Sequence, residues 1–240
     1  KVTTAYPGDE QKRKALAAQI IKTLIGKPLF AADEAAMFHA DPHAGNLYVN
    51  ESSGELIVFD WALTGKLDRD ERRRIILLFL ALCLHDQGLL LHALSELSEG
   101  EWSATQSRAL KQLINDYIES LPLYSLPGVN DLLALTDELL LAGVRFSPAL
   151  MLFRKVLLTL NGVLQDITGS VEMETVLSEY VLAQCQQEFY GMGLAKTISP
   201  DFHWQLNNAD ALSLAFSMQG YAWRTGLQAQ AQFWKALSGR

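Results

Sequence analysis

The sequence contains little cysteine and has no surplus of basic residues. Its two cysteines, Cys83 and Cys185, lie in apolar or helical surroundings and show no metal-ligand spacing. Secreted disulfide scaffolds carry far more cysteine, so we expect a reducing, cytoplasmic setting. The formal net charge of −7 argues against binding to nucleic acid or anionic membranes through bulk charge. The one basic run, at positions 72–74, is expected to be a solvated helix face.

The sequence also lacks a long apolar run. The longest unbroken one extends from Ile75 to Leu84. A helix that crosses a bilayer needs about 20 apolar residues, so this run predicts a buried helix instead. We therefore predict no transmembrane span, and peripheral contact with a membrane stays an open alternative.

Helical periodicity dominates what is present. Leu16, Ile20 and Leu24 share one face of a helix that begins after Asp9, and Gly26 is placed to end it. Further helices are predicted over 70–85, 88–97, 102–120, 129–141, 148–164, 173–190 and 209–237. Gly162 is a position for a kink, and 191–201 is the only plausible linker. The fold is predicted to be mainly α.

A short β-hairpin interrupts this helical pattern. Two apolar runs, at 47–50 and 56–60, flank a turn that contains Gly54, whereas 28–37 is short and mixed in composition. Antiparallel strands of this length return the chain to its starting level. The pattern therefore predicts that Asp60, after the second strand, lies near Asn46, before the first.

The segment from His39 to Asn46 carries the clearest chemical signal. It reads His-Ala-Asp-Pro-His-Ala-Gly-Asn and is followed fourteen residues later by Asp60. In a kinase catalytic loop, a His-x-Asp is followed by an Asn with this spacing, and a later Asp completes a metal site. Oxygen ligands from two chain segments suit Mg²⁺ beside nucleotide phosphates. The combination predicts phosphoryl-transfer chemistry.

This segment, with Phe59-Asp60-Trp61-Ala62 and Gly65-Lys66-Leu67-Asp68, resembles the catalytic segment of the UbiB-like (AarF-type) atypical kinases. That family replaces the Arg of the usual kinase loop by Ala and follows the Asp with Pro-His. The resemblance implies a protein-kinase-like fold, Mg²⁺ and ATP as cofactors, and phosphoryl transfer or ATP hydrolysis linked to isoprenoid-lipid metabolism of the ubiquinone type.

The resemblance also implies residue roles. Asp41 would be the catalytic or orienting base, and His43 would assist near the transferred phosphate. Asn46 and Asp60 would hold the metal and the nucleotide phosphates. Two further residues, His39 and Gly45, are expected to support the loop, His39 through hydrogen bonds and Gly45 by permitting the backbone turn before Asn46.

Three departures from the family pattern matter. Ala44 stands where the family usually has Pro, and Trp61-Ala62 stands where it usually has Phe-Gly. The strand lysine, its glutamate partner and the Lys-x-Gly-Gln motif are not found. We therefore expect a C-terminal lobe alone and an isolated chain that is inactive. The N-lobe would have been removed, be encoded elsewhere, for example in a partner protein, or have been lost. Within this lobe, 1–66 would carry the catalytic loop and metal hairpin, and 67–240 the helical body.

Other interpretations stay open. The lobe could be a non-catalytic pseudokinase or interaction module. Small-molecule phosphotransferases of the aminoglycoside and choline kinase type also use a His-x-Asp loop, often with Trp after the metal Asp, as Trp61 is here. A zinc site of His39, Asp41 and His43 fits poorly, because a third histidine would be needed.

The last predicted helix is amphipathic. Its apolar face carries Leu212, Phe216, Gly220, Trp223, Leu227 and Trp234. We expect this face to pack against the helical body. Docking to a partner is the alternative, and lipid binding is less favoured because the polar face has few basic residues.

Overall fold

The computed structural model describes residues 1–122, 127–169 and 208–237, together with positions 176, 179, 180, 183 and 206. It divides into two compact units. The first contains Lys1–Arg72 and Phe146–Gln205, and the second contains Arg73–Arg145 and Leu206–Arg240. The prediction of a mainly α fold with a short β-hairpin is confirmed, and the fold is compatible with a kinase-like lobe. The predicted functional division after residue 66 stays a prediction.

The first unit holds four short strands in its described part. They are β1 (Ala35–His39), β2 (Leu47–Asn50), β3 (Glu55–Val58) and β4 (Thr64–Asp68). β2 and β3 form the predicted hairpin, in which Leu47 pairs with Val58. β1 pairs antiparallel with β4, so that His39 lies opposite Thr64. This second pair was not predicted, because each strand is only five residues long and its partner is distant in sequence.

The helices of the first unit begin with α1 (Glu10–Ile21), which continues through a π-helical turn at Lys22–Gly26 into α2 (Lys27–Leu29). The Asp9 side chain caps α1 by accepting a hydrogen bond from the Lys12 N–H, at 3.0 Å. The predicted helix end at Gly26 is wrong, since its φ of −62° and ψ of −53° are helical. A Cβ at Gly26 would lie 2.7 Å from the Tyr180 ring. This glycine therefore allows close packing and does not end the helix.

The long helix α7 (Pro148–Thr168) provides much of the first unit's core. It packs against α1 and β4 with a buried face that includes Phe153, Val156 and Leu160. Ser147 caps it, and it runs unbroken through Gly162 and four residues past the predicted end. Burying such apolar side chains contributes about 1.5–3 kcal/mol each, so this face fixes α7 beside β4.

The second unit is helical throughout its described part. It contains α4 (Gln87–Leu97), α5 (Ala104–Ser120), α6 (Val129–Leu141), α8 (Asn208–Leu237) and most of α3 (Arg69–Cys83). These bounds differ from the predicted ones by at most two residues at either end. The run from Ile75 to Leu82 is largely buried, as expected. The predicted helix at 173–190 lies largely outside the described residues, and the predicted linker at 191–201 lies wholly outside them.

The prediction of a solvated basic run is wrong. Arg72 is fully buried in the first unit, where its guanidinium donates to the carbonyls of Leu67, at 2.9 Å, Ala31, at 3.3 Å, and Asp33. Burial lowers the pKa of Arg72. An arginine with a rigid fork of donors can satisfy several backbone carbonyls at once, which explains why a charged residue occupies a core position.

In the second unit, Arg73 is also largely buried. It binds Glu96 and Asp210 at 3.0 Å each. Asp210 belongs to α8, which is further attached through Ser217 Oγ, a donor to Asp86 Oδ2 at 2.5 Å, and Arg224. Because 210, 217 and 224 are seven residues apart, they form one polar stripe along α8.

This polar stripe reverses the expected orientation of α8. Phe216 and Trp223 are 66% and 70% exposed, and Leu212 and Leu227 are at least half exposed. The expected packing of this apolar face is therefore wrong for these four residues. The side chain of Trp234 lies outside those described. The ion pair and hydrogen bonds of the polar stripe provide the attachment that the apolar stripe was expected to supply.

Candidate functional site

The predicted catalytic residues lie on two adjacent connections of the first unit. One connection, residues 40–46, links β1 to β2, and the other, residues 59–63, links β3 to β4. Since β1 pairs with β4 and β2 with β3, the two connections run side by side. Backbone hydrogen bonds join them at both ends, from the Ala40 N–H to the Leu63 carbonyl at 3.0 Å and from the Phe59 N–H to the Asn46 carbonyl at 2.9 Å. The structure thus brings the two predicted halves of the site together.

His39 ties these two connections to each other. It is 1% exposed, its Nδ1 accepts a hydrogen bond from the Asp41 N–H at 3.2 Å, and its Nε2 lies 3.0 Å from the Phe59 carbonyl. A carbonyl can only accept, so Nε2 carries the proton. The Trp61 ring contacts the imidazole edge-on, with centroids 5.0 Å apart. Both ring nitrogens are therefore used by the backbone, which leaves no ring nitrogen for the alternative zinc site.

Asn46 fixes the far end of the catalytic loop. Its Nδ2 donates to the Asp41 carbonyl at 3.1 Å, and its backbone N–H donates to the His43 carbonyl at 2.9 Å. The side chain is largely buried, so these bonds define its orientation. Because Nδ2 is the donor, Oδ1 is left to act as a ligand or acceptor.

Asp60 has an uncommon backbone conformation. Its φ is +56°, in the left-handed region. Few residues other than glycine adopt this region, although Asp and Asn do so more often than others. The carboxylate is exposed, and its Oδ1 accepts a long hydrogen bond of 3.4 Å from the Ala62 N–H. The chain therefore holds an exposed carboxylate in a conformation that few residue types tolerate.

The oxygens of Asn46 and Asp60 fit a hard cation. Amide and carboxylate oxygens are the ligands that Mg²⁺ prefers. Asn46 directly precedes Leu47, and Asp60 stands two residues after Val58, the strand partner of Leu47. The hydrogen bond from Asn46 Nδ2 turns the amide so that its oxygen is the remaining polar atom. Within the described residues, no group of three or more His, Cys, Asp and Glu side chains could hold a metal. Asn46 and Asp60 offer two oxygens of the kind that a hard cation such as Mg²⁺ takes.

Asp41 is flanked by two nitrogen groups. Its Oδ1 lies 3.1 Å from Lys155 Nζ, and its Oδ2 lies 3.7 Å from His43 Nε2. His43 Nδ1 accepts a hydrogen bond from the Gly45 N–H at 3.0 Å, which places the proton of the neutral ring on Nε2, facing Asp41. Lys155 was not among the predicted site residues. It lies 114 residues away on α7, and no local pattern marks it.

Gly45 is required for a different reason from the predicted one. Its φ is not in the left-handed region, but a Cβ at this position would lie 2.7 Å from Cε1 of the His43 ring. Real Cβ atoms essentially never come so close to another atom. The glycine therefore makes room for the ring of His43 against the loop backbone.

Several large apolar side chains near the catalytic segment are exposed. Met37, Ile57, Phe59, Trp61 and Leu63 are between 40% and 55% exposed. They all lie within a stretch of 27 residues around the catalytic segment. Exposed apolar clusters of this kind typically mark interaction or ligand sites.

A cavity of about 390 Å³ lies beside this surface in the first unit. It is lined by residues of α2 and its preceding turn, by β1, and by His39 and Trp61. Its volume falls in the range of small-molecule sites, about 300–1,000 Å³.

In the described part of the chain, no helix is long and apolar enough to cross a membrane.

Comparisons with known proteins match part of this chain. Residues 5–94 match the family model of the ABC1 atypical kinase-like domain, a range that contains the whole predicted catalytic segment. The resemblance to UbiB-like atypical kinases is thereby confirmed for this range. A 48-residue stretch is 40% identical to the uncharacterized protein sll1770 of Synechocystis sp., covering 20% of this chain and 8% of that relative. No solved structure matches the chain.

Proposed function

We propose that the ABC1 atypical kinase-like domain at residues 5–94 forms the acceptor and metal half of a phosphoryl-transfer site. The observation that carries this proposal is the hydrogen-bond network that links Asp41, Asn46 and the residue before Asp60. Three oxygen-bearing side chains are thereby held on two adjacent connections. Phosphoryl transfer uses a carboxylate that orients the acceptor and oxygen ligands for the metal, and these three side chains are of those two kinds.

In this proposal Asn46 and Asp60 would hold a magnesium ion, which would neutralise charge on the phosphates of ATP. Asp41 accepts the proton of the attacking hydroxyl or water. The attacking oxygen forms a bond to the terminal phosphorus of ATP, the bond to the bridging oxygen breaks, and ADP leaves. His39 positions Asp41 through its Nδ1, which accepts the Asp41 N–H. His43 supports the Asp41 carboxylate from its other side.

The finer assignments follow from the family resemblance and belong to the same proposal. The activity would be atypical kinase or ATPase activity in isoprenoid-lipid metabolism of the ubiquinone type. A reducing cytoplasmic location, with peripheral contact to a membrane as an addition, belongs to the same proposal. The remaining contacts to the ATP phosphates would come from an N-lobe or a partner protein, so we expect the isolated chain to bind Mg-ATP weakly.

A non-catalytic interaction module is the second candidate. It is favoured by the exposed apolar cluster around the site, which includes Met37, Phe59 and Trp61. Such a module would retain the loop as a docking surface. It would not need the carboxylates of Asp41 and Asp60, which separates the two candidates.

Asn substitutions at Asp41 and Asp60 test the proposal. Mg-ATP is titrated by calorimetry up to millimolar concentration, with and without EDTA, and phosphate release is followed in parallel. We expect weak, magnesium-dependent binding that Asp60→Asn abolishes. Because the isolated chain is expected to be inactive, turnover is followed in the protein with its N-lobe supplied. It should fall by about a hundredfold in either variant, because each loses a charge that stabilises the transition state.

Asp116→Asn is the matched control, since Asp116 is an ordinary α5 residue that accepts a hydrogen bond from Gln112 at 2.7 Å. It should leave binding and turnover unchanged. Nucleotide binding that is equally strong in EDTA and in Asp60→Asn would overturn the metal role. Wild-type turnover in both variants would overturn the catalytic proposal.

A further inference from the structure

Lys155 is held beside Asp41 by the packing of α7. Phe153, two residues earlier, is 1% exposed and contacts the Phe38 ring edge-on, with centroids 5.3 Å apart. Phe38 lies on β1, three residues before Asp41. The same aromatic contact thus fixes the start of the catalytic loop and the stretch of α7 that carries Lys155. The lysine is placed at the site by the core, although its own side chain is half exposed.

The ion pair between Lys155 and Asp41 is poorly suited to stabilising the fold. The two side chains are 51% and 38% exposed. Ion pairs as exposed as this one contribute little to stability, because solvent screens the charges and two flexible side chains must be ordered. The pair can therefore separate at small cost when another anion competes for the ammonium.

The pair also conflicts with the proposed role of Asp41. Lys155 Nζ occupies Oδ1 at 3.1 Å, and His43 Nε2 faces Oδ2. A carboxylate that accepts a proton from a hydroxyl needs one oxygen that is open to that hydroxyl. In the arrangement seen, the ammonium lies where the reacting groups would approach.

The negative charge of a nucleotide competes with Asp41 for the ammonium of Lys155. Asp41 and Asp60 are acidic, so an incoming polyphosphate meets negative charge unless cations face it. A lysine ammonium is a mobile point charge on a flexible stem and is a common phosphate ligand. Lys155 Nζ is already within hydrogen-bond distance of the residue that would face the transferred group.

We propose that Lys155 is a phosphate-binding residue of this site. It is paired with Asp41 in the free chain and moves its ammonium to the terminal phosphate when a polyphosphate binds. This movement leaves Asp41 Oδ1 open to the acceptor. The role in transfer rests on the function proposed above, whereas the phosphate contact itself does not depend on it.

Three variants and two probes test this inference. Lys155→Met removes the charge, Lys155→Arg keeps it, and Lys14→Met makes the same change at an exposed lysine that pairs with Glu10 at 2.7 Å on α1. The probes are Mg-ATP and tripolyphosphate without metal, both titrated by calorimetry. Lys155→Met should weaken both by about tenfold, the effect of losing one charge-assisted hydrogen bond. Lys155→Arg should retain most of the affinity, and Lys14→Met all of it.

The outcomes separate this inference from the proposed function. One outcome is that Mg-ATP binding needs Asp60, but Lys155→Met binds both probes as tightly as the wild type does. In that case the inference is wrong and the proposed function stands. If tripolyphosphate binding depends on Lys155 but Mg-ATP binding is insensitive to Asp60, the phosphate contact stands and the function is wrong. Tighter binding in Lys155→Met, or no binding of either probe by the wild type, would overturn the inference. An unchanged melting temperature in Lys155→Met shows that the variant is folded.

Discussion

At the scale of single residues, the site depends on a few positions whose environment restricts the residue type. His39 must have two ring nitrogens, because one accepts from the Asp41 N–H and the other donates to the Phe59 carbonyl. A Cβ at Gly45 would displace the ring of His43, which lies against it. Asp60 must tolerate a left-handed backbone. Chemistry and backbone strain are thus combined in the same short segments.

Asp60 allows these two contributions to be separated. A non-glycine residue with φ of +56° costs about 1–2 kcal/mol relative to glycine, and Asp tolerates this better than Ala. Asp60→Ala and Asp60→Gly both remove the carboxylate, but only glycine relieves the backbone. We expect Asp60→Gly to be more stable than Asp60→Ala by about 1–2 kcal/mol in urea unfolding. Equal stability of the two variants would show that the positive φ is not maintained in solution.

At the scale of secondary-structure elements, two short antiparallel pairs position the site. The β2–β3 hairpin places Asp60 beside Asn46, and the β1–β4 pair holds the outer ends of both connections. α7 packs on β4 and supplies Lys155. The packing of helix α8 differs from what its amphipathic sequence pattern predicts. Its polar stripe makes the contacts, and its apolar stripe is exposed. Neighbouring polar groups decided that orientation.

Gly65 on β4 tests the contact between the β1–β4 pair and the core. A Cβ at this position would lie 2.1 Å from Cζ of Phe38, which itself contacts Phe153. Gly65→Ala should therefore lower the free energy of unfolding by about 1–3 kcal/mol, as for other overpacked cores. The control is Gly162→Ala on α7, where a Cβ meets nothing within 4 Å. That variant should gain about 0.5–1 kcal/mol from helix propensity, and a larger loss there than at Gly65 would contradict the packing described.

At the scale of the whole molecule, several buried titratable groups limit the pH range of stability. Burial lowers the pKa of His85, and Arg224 adds to this effect. Burial, assisted by Asp131, raises the pKa of Cys83 and that of Tyr117 to about 12 each. Each group is therefore neutral in the folded chain over a wider range of pH than in the unfolded chain.

These pKa shifts predict a stability maximum with two limits. The unfolded chain takes up a proton at His85 below pH 6.5, so stability falls as pH decreases from 6.5 through the lowered folded pKa. On the alkaline side the stabilising contribution is fully present below 9.0 for Cys83 and 10.0 for Tyr117, and it is lost as pH rises toward about 12. Melting temperatures measured from pH 4 to 11 should show both limits.

Two variants assign these limits to particular residues. Asparagine tolerates the positive φ of 50° at position 85. In His85→Asn the melting temperature should therefore fall less steeply as the pH decreases below 6.5. In Cys83→Ala the melting temperature should fall less steeply at alkaline pH, although the contribution of Tyr117 remains. If each variant kept the slope of the wild type, these groups would not be the ones that titrate.

The sequence alone identified the atypical kinase-like segment and much of the helical framework. The spacing from His39 to Asn46 and the hairpin that follows are local features, so residues close in sequence carry them, and the structure and the family match agree with them. The amphipathic periods of α3 to α7 likewise predicted helix bounds closely. Lone residues such as Gly26 were misread, because tertiary packing overrides their usual preference.

Only the tertiary structure decided the remainder. The β1–β4 pair joins residues at least 25 positions apart, and the contact between Lys155 and Asp41 joins residues 114 positions apart. The burial of Arg72 depends on backbone carbonyls that no sequence pattern marks. The orientation of α8 depended on which of two stripes found partners. Such contacts arise when separate elements pack, and their energy is absent from any single stretch of sequence. The loop that marks the chemistry can therefore be found in the sequence, whereas the cation beside it appears only once the chain has folded.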